Sequence, residues 1–290
     1  MKGVFIENAF YKSKAVDQIY ESLKKSADKR DIILDRKDND YYIQRLDKIT
    51  NDFDYDFCVF WNKDIILAKA LEKSRVRVFN SAEAIEICDN KALTHLMLSD
   101  IVDMPKTLHI PFTYENTGYT HNDFLEMIGE ELGYPYVIKE CFGSLGSGVY
   151  LATNLESAKD ILKKCDGIKL IAQEFVEPVK SDEYYDIRAY FVGKNLAAAM
   201  QRYSSKDFRV NVGIGGNVRN YELTDSEIDI CQRIMSSLKL DFAGIDILHS
   251  VSGPLICEVN SNAQFVALNE CSGKDVSAYI IDYIIERMNQ

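Results

Sequence analysis

Histidine is scarce in this sequence, with four residues scattered through 290. That scarcity argues against a histidine-based catalyst or a structural zinc site. Seven cysteines are present, but none are spaced as CxxC, and most sit in apolar runs such as "DFCVFW" and "PLICEVN". An odd number without metal-ligand spacing points to reduced, buried thiols in a cytosolic protein. Basic charge is also short: 34 Lys and Arg stand against 45 Asp and Glu, for a net charge of −11. The basic footprint of a general nucleic-acid binder is therefore missing, although a locally cationic pocket stays compatible with an acidic shell. No stretch approaches the ~20 apolar residues that span a bilayer. The opening "MKGVFIENAF" has no long apolar segment and no small-residue cleavage site, so neither membrane insertion nor a signal peptide is expected. Internal repeats and low-complexity tracts are absent too.

What remains is an ordinary globular composition, 47% hydrophobic and 27% charged, on a chain long enough for two or three subdomains. In the first ninety residues, strand-like runs at 3–6, 31–34, 56–61 and 76–79 alternate with helix-like runs at 13–27 and 64–73. Such alternation predicts a parallel α/β sheet. The polar run "DRKDNDYYIQRLDKITND" reads as a solvated connection. Beyond residue 89 the pattern changes to α+β. "DNKALTHLMLSD" reads as a capped helix, Pro105 and Pro111 mark irregular chain, and 122–132 reads as a helix stopped by Gly133. A helix opening on a Thr153/Glu156 capping box follows, then strands at 169–176, 184–192 and 195–202. A second box, Thr224/Glu227, opens an amphipathic helix whose apolar face carries Ile228, Cys231, Ile234, Met235 and Leu238. Strands at 242–248 and 254–260 and a helix near 274–288 complete the pattern.

Three constellations carry chemistry. In "YPYVIKECFGSLGSGVYLATN", Lys139 sits on an apolar strand before a loop, Gly143, Ser144, Gly146, Ser147 and Gly148, after which strand-like chain resumes. The loop lacks the GK[ST] ending of a P-loop and the following helix of a dinucleotide fingerprint. Small residues there let backbone N–H groups approach phosphate oxygens, with Lys139 supplying charge; the alternative is a mobile hairpin. In "FAGIDIL" and "PLICEVN", flanking a turn centred near Ser252, Asp246 falls opposite Glu258, and Asn260 shares the face of Glu258. Three oxygen ligands on one face of buried strands suit Mg²⁺; the alternative is a solvent-facing row on an edge strand. In "YYDIRAYFVGKNLAAAMQRYSSKDFRVN", Asp186 and Arg188 share a strand face, with Arg202, Arg209 and Asn211 following. Arginine forks suit carboxylates and phosphates; surface ion pairs are the alternative.

Taken in order, "DNK", "YPYVIK", "GSLGSGV", "IAQEF", "DIRAYFVG", "FRVN", "GG", "AGIDIL" and "ICEVNSN" resemble the ATP-grasp superfamily, specifically its RimK-like branch of amino-acid ligases, over roughly residues 55 to 290. The resemblance implies an ATP-grasp fold behind an N-terminal Rossmann-like pre-ATP-grasp domain, divided into 1–88, 89–173 and 174–290. It implies that Lys91 and Lys139 contact the phosphates of ATP and that the glycine loop closes over them. Glu174 and Phe175 match an interlobe hinge whose backbone reads adenine, and Asp186 matches a nucleotide-contacting aspartate. Arg209 with Asn211 matches a motif facing the phosphates, and Asp246, Glu258 and Asn260 match Mg²⁺ ligands. The implied cofactors are ATP and Mg²⁺, two ions, with Mn²⁺ as a substitute.

The implied reaction is carboxylate–amine ligation through an acylphosphate. Glutamate or another amino acid is one partner, and Arg188 and Arg202 are the candidate catalytic residues at the acylphosphate or substrate carboxylate. Ligation onto a ribosomally made precursor peptide and non-catalytic ATP binding are the rivals. A homo-oligomer is an expectation from the family only, whereas the cytoplasmic setting is expected from the cysteines. The sequence departs from the ribosomal-protein-modifying enzyme in the longer "VEPVKSDEYY", in "VGI" between Asn211 and Gly215, and in "SNAQF" after "EVN". All three departures lie near the expected substrate side, which leaves the substrate open.

Overall fold

The computed structural model describes residues 1–50, 53–143, 146–179 and 183–290. Ser144 of the glycine loop lies outside the described residues, as do positions 180–182 of the long connection.

The chain opens with β1 (Lys2–Glu7), α1 (Lys14–Asp28), β2 (Ile33–Asp38), β3 (Phe57–Phe60), α2 (Ile65–Lys73), β4 (Arg77–Phe79) and α3 (Ala82–Asp89). The four strands form a parallel sheet in the order β2-β1-β3-β4, with α1 and α2 as the crossovers that parallel neighbours need between β1 and β2 and between β3 and β4. β2 differs from expectation. It begins at Ile33 and runs through Asp38, into the polar stretch read as a connection. Its pairing with β1 continues to Glu7↔Asp38, and an edge strand tolerates polar residues on its open side.

The middle of the chain holds α4 (Lys91–Leu98), β5 (Thr107–His109), α5 (Phe124–Leu132), β6 (Tyr136–Glu140), β7 (Val149–Ala152), α6 (Leu155–Leu162) and β8 (Leu170–Glu174). The sheet order is β5-β8-β6-β7. β5 falls between the two prolines taken to mark irregular chain, and antiparallel pairing with β8 holds it extended. The capping box of α6 is Asn154/Ser157, one residue later than the expected Thr153/Glu156. Asn154 has the extended backbone of an N-cap (φ −165°), and its side chain accepts the Ser157 N–H at 2.9 Å.

The last part comprises β9 (Tyr184–Val192), β10 (Asn195–Ser204), β11 (Asn217–Asn220), α7 (Asp225–Ser237), β12 (Phe242–Ser250), β13 (Gly253–Asn260), α8 (Val266–Ser272) and α9 (Val276–Met288). Its antiparallel sheet runs β11-β10-β9-β12-β13. The Thr224/Glu227 box opens α7 as expected. Cys231, Ile234, Met235 and Leu238 are buried against Ile187, Ala189, Ile245 and Ile247 on one face of this sheet. The other face joins the N-terminal sheet. Phe5, Ile19 and Leu23 share a core with Tyr190, Phe242, Phe265 and Ile280. Asn80, fully buried, reinforces that junction. Its amide donates to the carbonyls of Phe242 and Ser261 and accepts the N–H groups of Asp241 and Phe242. The middle sheet has its own core of Ile110, Leu125, Tyr136, Ile138, Leu162 and Ala172.

All seven cysteines are free and five are buried, as their apolar settings imply. Among the described residues, no helix is long and apolar enough to cross a membrane.

Candidate active site

Strand alternation aims the chemistry-bearing side chains. On β6, Tyr136 and Ile138 enter the middle core, so Val137 and Lys139 face the opposite way, into a cleft against β9–β13. On β9, Ile187 and Ala189 pack under α7, which leaves Asp186 and Arg188 on the cleft face. On β12, Ile245 and Ile247 do the same for Asp246.

The register then lines up a row of charge: Arg188, Asp246 and Glu258 lie side by side across β9, β12 and β13, next to Met200 on β10, with Arg202 opposite Asp186 two residues along. The Asp246–Glu258 pairing matches the sequence expectation for an unexpected reason. The turn pairs Ser250 with Gly253, so a regular ladder would put Cys257 opposite Asp246. A bulge between Asp246 and Ile247 on the pairing shifts the partner to Glu258.

The buried carboxylates are held by arginines. Arg188 grips Asp246 through Nε and, at 2.8 Å, through Nη2. Arg202 binds both oxygens of Asp186 at 2.7 and 2.5 Å and reaches Asp246 at 2.9 Å. It also donates to Asn211 Oδ1 at 3.2 Å. Two acids and two bases make this quartet neutral. Burial pushes the Asp186 carboxyl up, against the pull of Arg202. Burial acts on Asp246 too, but Arg188 and Arg202 outweigh it and hold its pKa below the usual range. For Arg202, burial opposes the charge and Asp186 and Asp246 overcome it, raising its pKa.

Lysines stand over this row. Lys91 caps the site from the start of α4, with Nζ 3.2 Å from Glu258 Oε1 and 3.1 Å from the Gly143 carbonyl. Lys139 Nζ donates to Gln173 Oε1 at 2.5 Å and lies 3.6 Å from Cys257 Sγ. Gln173 in turn donates to Thr107 Oγ1 at 2.9 Å and to His95 Nε2 at 3.0 Å. That last bond needs a neutral imidazole, and burial, aided by Lys139, lowers the His95 pKa to about 4. Sequence reasoning missed His95 and Gln173. Gln173 was legible as a polar residue opposite Val137 in the ladder, but no local signal marks His95.

The far end of the cleft is apolar, with Val137, Val149, Phe175, Phe208 and Leu248. The Phe175 ring lies edge-on to Phe208 and Tyr184, with centroids 5.7 and 6.2 Å away. Glu174 clasps the connection into this lobe: its N–H donates to the Lys106 carbonyl and its carboxylate accepts the Lys106 N–H at 2.7 Å. Arg209 lines the cleft with its fork on Asp207, Nη2 to Oδ2 at 2.7 Å. Gly143, Gly146 and Ser147 border the same cleft. Gly148 closes the loop at φ +67°, where a Cβ would fall 2.5 Å from Glu140.

The residues fit a hard divalent cation beside a polyphosphate. Asp246 and Glu258 supply carboxylates, and Asn260 lies two residues beyond Glu258, with its amide nitrogen buried and without a hydrogen bond. Among the described residues no three acids, histidines or cysteines cluster. Two carboxylates and an amide are nevertheless what Mg²⁺ uses when phosphates and water complete its shell.

The fold is the ATP-grasp fold. A RimK-domain ATP-grasp protein from Sphaerobacter thermophilus superposes with a TM-score of 0.74 at 17% identity, covering 98% of this chain and 99% of that one. The ATP-grasp ligase PsnB, solved with a phosphomimetic precursor variant, Mg and ADP, gives 0.73 at 14%, covering 99% and 98%. The chain belongs to the RimK-like ATP-grasp domain family, whose model matches residues 88–284. A probable alpha-L-glutamate ligase of Nitrosococcus oceani is 34% identical over 176 residues, 58% of this chain and 56% of that protein. A probable alpha-L-glutamate ligase 2 of Hahella chejuensis is 30% identical over 222 residues, 75% and 69% of the two chains. The match to the Nitrosococcus relative thus spans little more than half of its length.

Proposed function

We propose that this protein is an ATP-dependent carboxylate–amine ligase. A substrate carboxylate oxygen attacks the terminal phosphorus of ATP, giving an acylphosphate and ADP. An amine then attacks the acyl carbon, phosphate leaves, the nitrogen loses a proton, and an amide results.

One observation carries the reading. The ammonium of Lys139, inside the cleft, meets only the neutral partners Gln173 and Cys257 among the described residues, beside a second lysine and the neutral quartet of Asp186, Arg188, Arg202 and Asp246. Such a cation calls for an anion from outside the chain, and polyphosphate answers in charge and place. Family membership and the glutamate-ligase names of the relatives support the same chemistry.

In this reading Lys91, Lys139 and the loop Gly143–Gly148 hold the phosphates, while Glu174, Phe175 and Asp186 border the base and ribose. Arg209 stabilises the phosphate side with Asn211. Asp246, Glu258 and Asn260 hold Mg²⁺, one ion or two, with Mn²⁺ as a substitute. The cation neutralises charge on the phosphates. Arg188 and Arg202 stabilise the acylphosphate. No covalent protein nucleophile is required. The parallel N-terminal sheet serves as the pre-ATP-grasp domain of a three-part chain, 1–88, 89–173 and 174–290. Glutamate or another amino acid is one substrate, and the setting is cytoplasmic.

A second reading, ligation within a precursor peptide, draws on a second cavity of about 740 Å³ next to the cleft, which has room for one residue or for several. The test is incubation with Mg-ATP, hydroxylamine and single carboxylates, glutamate included. Hydroxylamine intercepts an acylphosphate as a hydroxamate, which identifies the donor. Nucleotide binding with neither hydroxamate nor ADP release under any acid would instead favour a non-catalytic ATP-binding protein.

A further inference from the structure

The second cavity lies between the cleft and the N-terminal sheet and shares Arg202, Asn211 and Glu258 with the cleft. Its wall is apolar where Val16, Trp61, Met200 and Val266 meet. Its charged groups are already matched: Arg188 and Arg202 with the aspartates, Glu258 with Lys91, and Lys63 with Asp89. Only the Lys63–Asp89 pair stands apart from the phosphate and metal residues. The two side chains are 48% and 17% exposed, so a ligand can reach both.

Besides Asn260, two amide side chains in the lining of the same cavity each carry an orphaned atom. Asn62 is 6% exposed. Its Oδ1 accepts the N–H groups of Lys63 and Asp64, at 2.7 and 3.1 Å, which fixes Nδ2 as a buried donor with no acceptor. Asn262 donates through Nδ2 to the Asn62 carbonyl at 2.9 Å, which fixes Oδ1 as a buried acceptor with no donor. Buried polar atoms rarely go unpaired without a reason. One orphan is a donor beside a lysine, and the other is an acceptor on Asn262, which is tied to the same Asn62. Donors suit a carboxylate and acceptors suit an ammonium.

We propose that this cavity binds a free α-amino acid with an apolar side chain. Lys63 and Asn62 hold its carboxylate, Asp89 and Asn262 hold its ammonium, and Trp61 and Met200 pack against its side chain. The proposal rests on the ligase reading and names the class of one of its two substrates. Glutamate fits this cavity poorly: with Lys63 given to the α-carboxylate, its second carboxylate meets the apolar wall, and the remaining cations of the described lining, Arg188 and Arg202, are held by Asp246 and Asp186.

Trp61 is the only tryptophan in the sequence, so its emission reports on this cavity. The full chain, loaded with Mg²⁺ and a non-hydrolysable ATP analogue, is titrated with leucine, methionine, glutamate, N-acetylleucine and leucinamide. Leucine and methionine shift Trp61 emission saturably. The two blocked derivatives bind about tenfold or more weakly, the scale of one lost charge-assisted hydrogen bond. Lys63→Met and Asp89→Asn each weaken leucine to a similar degree, Lys63→Arg retains binding, and melting curves establish that each variant folds. Tighter binding of glutamate than of leucine, equal binding of the blocked derivatives, or unchanged affinity in both variants overturns the proposal. Nucleotide binding is followed separately by displacement of a fluorescent ATP analogue. Retained nucleotide binding with no response to any amino acid overturns this inference alone. Failure of the wild type to bind nucleotide overturns the ligase reading, and the substrate role with it.

Discussion

A buried polar group acts according to what it meets, and the cleft side chains divide on that basis. Glu258 has Lys91, whereas Lys139 has only neutral acceptors among the described residues. Glu258→Ala is therefore expected to abolish hydroxamate formation, and turnover at the wild-type rate would remove Glu258 from the metal set. Arg202 serves Asp186, Asp246 and Asn211 at once. Arg202→Met strands the buried Asp186 carboxylate and leaves Asp246 to Arg188 alone, and is expected to cost about 3–5 kcal/mol, read as a lower urea midpoint. His95 gives a pH signature. Its folded pKa, about 4, lies below the ordinary imidazole value of about 6.5. As pH falls below 6.5, the unfolded chain takes up a proton that the folded chain refuses, so stability drops until about pH 4. Urea midpoints at pH 7, 5.5 and 4.5 should fall less steeply in His95→Gln than in the wild type.

At the scale of elements, the alternation that aims Lys139, Asp186, Arg188 and Asp246 was legible, because period-two burial is written in the residue types themselves. The Thr224/Glu227 box was legible for the same reason: the capping chemistry is local. Two features were not. The bulge beside Asp246 depends on a ladder formed with distant chain. β5 has three residues and exists only because β8 pairs with it. The choice of Asn154 over Thr153 as cap shows that adjacent candidates can be separated only by backbone angle. Gly244 on β12 tests how tightly these strands set the site. A Cβ there would come within 2.5 Å of Ala263 Cβ and 3.0 Å of Arg188 Cδ. Gly244→Ala is expected to destabilise by about 1–3 kcal/mol through overpacking and to lower turnover more than nucleotide affinity. Turnover that falls only in step with nucleotide affinity would mean that Arg188 keeps its place.

Across the whole molecule, the N-terminal sheet and the last sheet share one core, while the middle sheet keeps another. A ligand gripped between them stabilises both. At about 100 times its dissociation constant, a nucleotide adds about 2.7 kcal/mol. A rise in melting temperature with Mg²⁺ and a non-hydrolysable ATP analogue is expected in the wild type and should be lost in Lys139→Met. Without ligand, the amides of β6 and β8 should exchange with deuterium sooner than those of β9 and β12, since the smaller core can open by itself. Exchange in the opposite order would mean that the sheets unfold as one. The clasp between Glu174 and Lys106 carries a further consequence. The chain enters and leaves the middle sheet at a single seam, and the apolar interior between those crossings is its own. A cut at that seam leaves the middle core of Ile110, Leu125, Tyr136 and Leu162 whole, so the half of the cleft that carries Lys139 can be exchanged as one continuous segment.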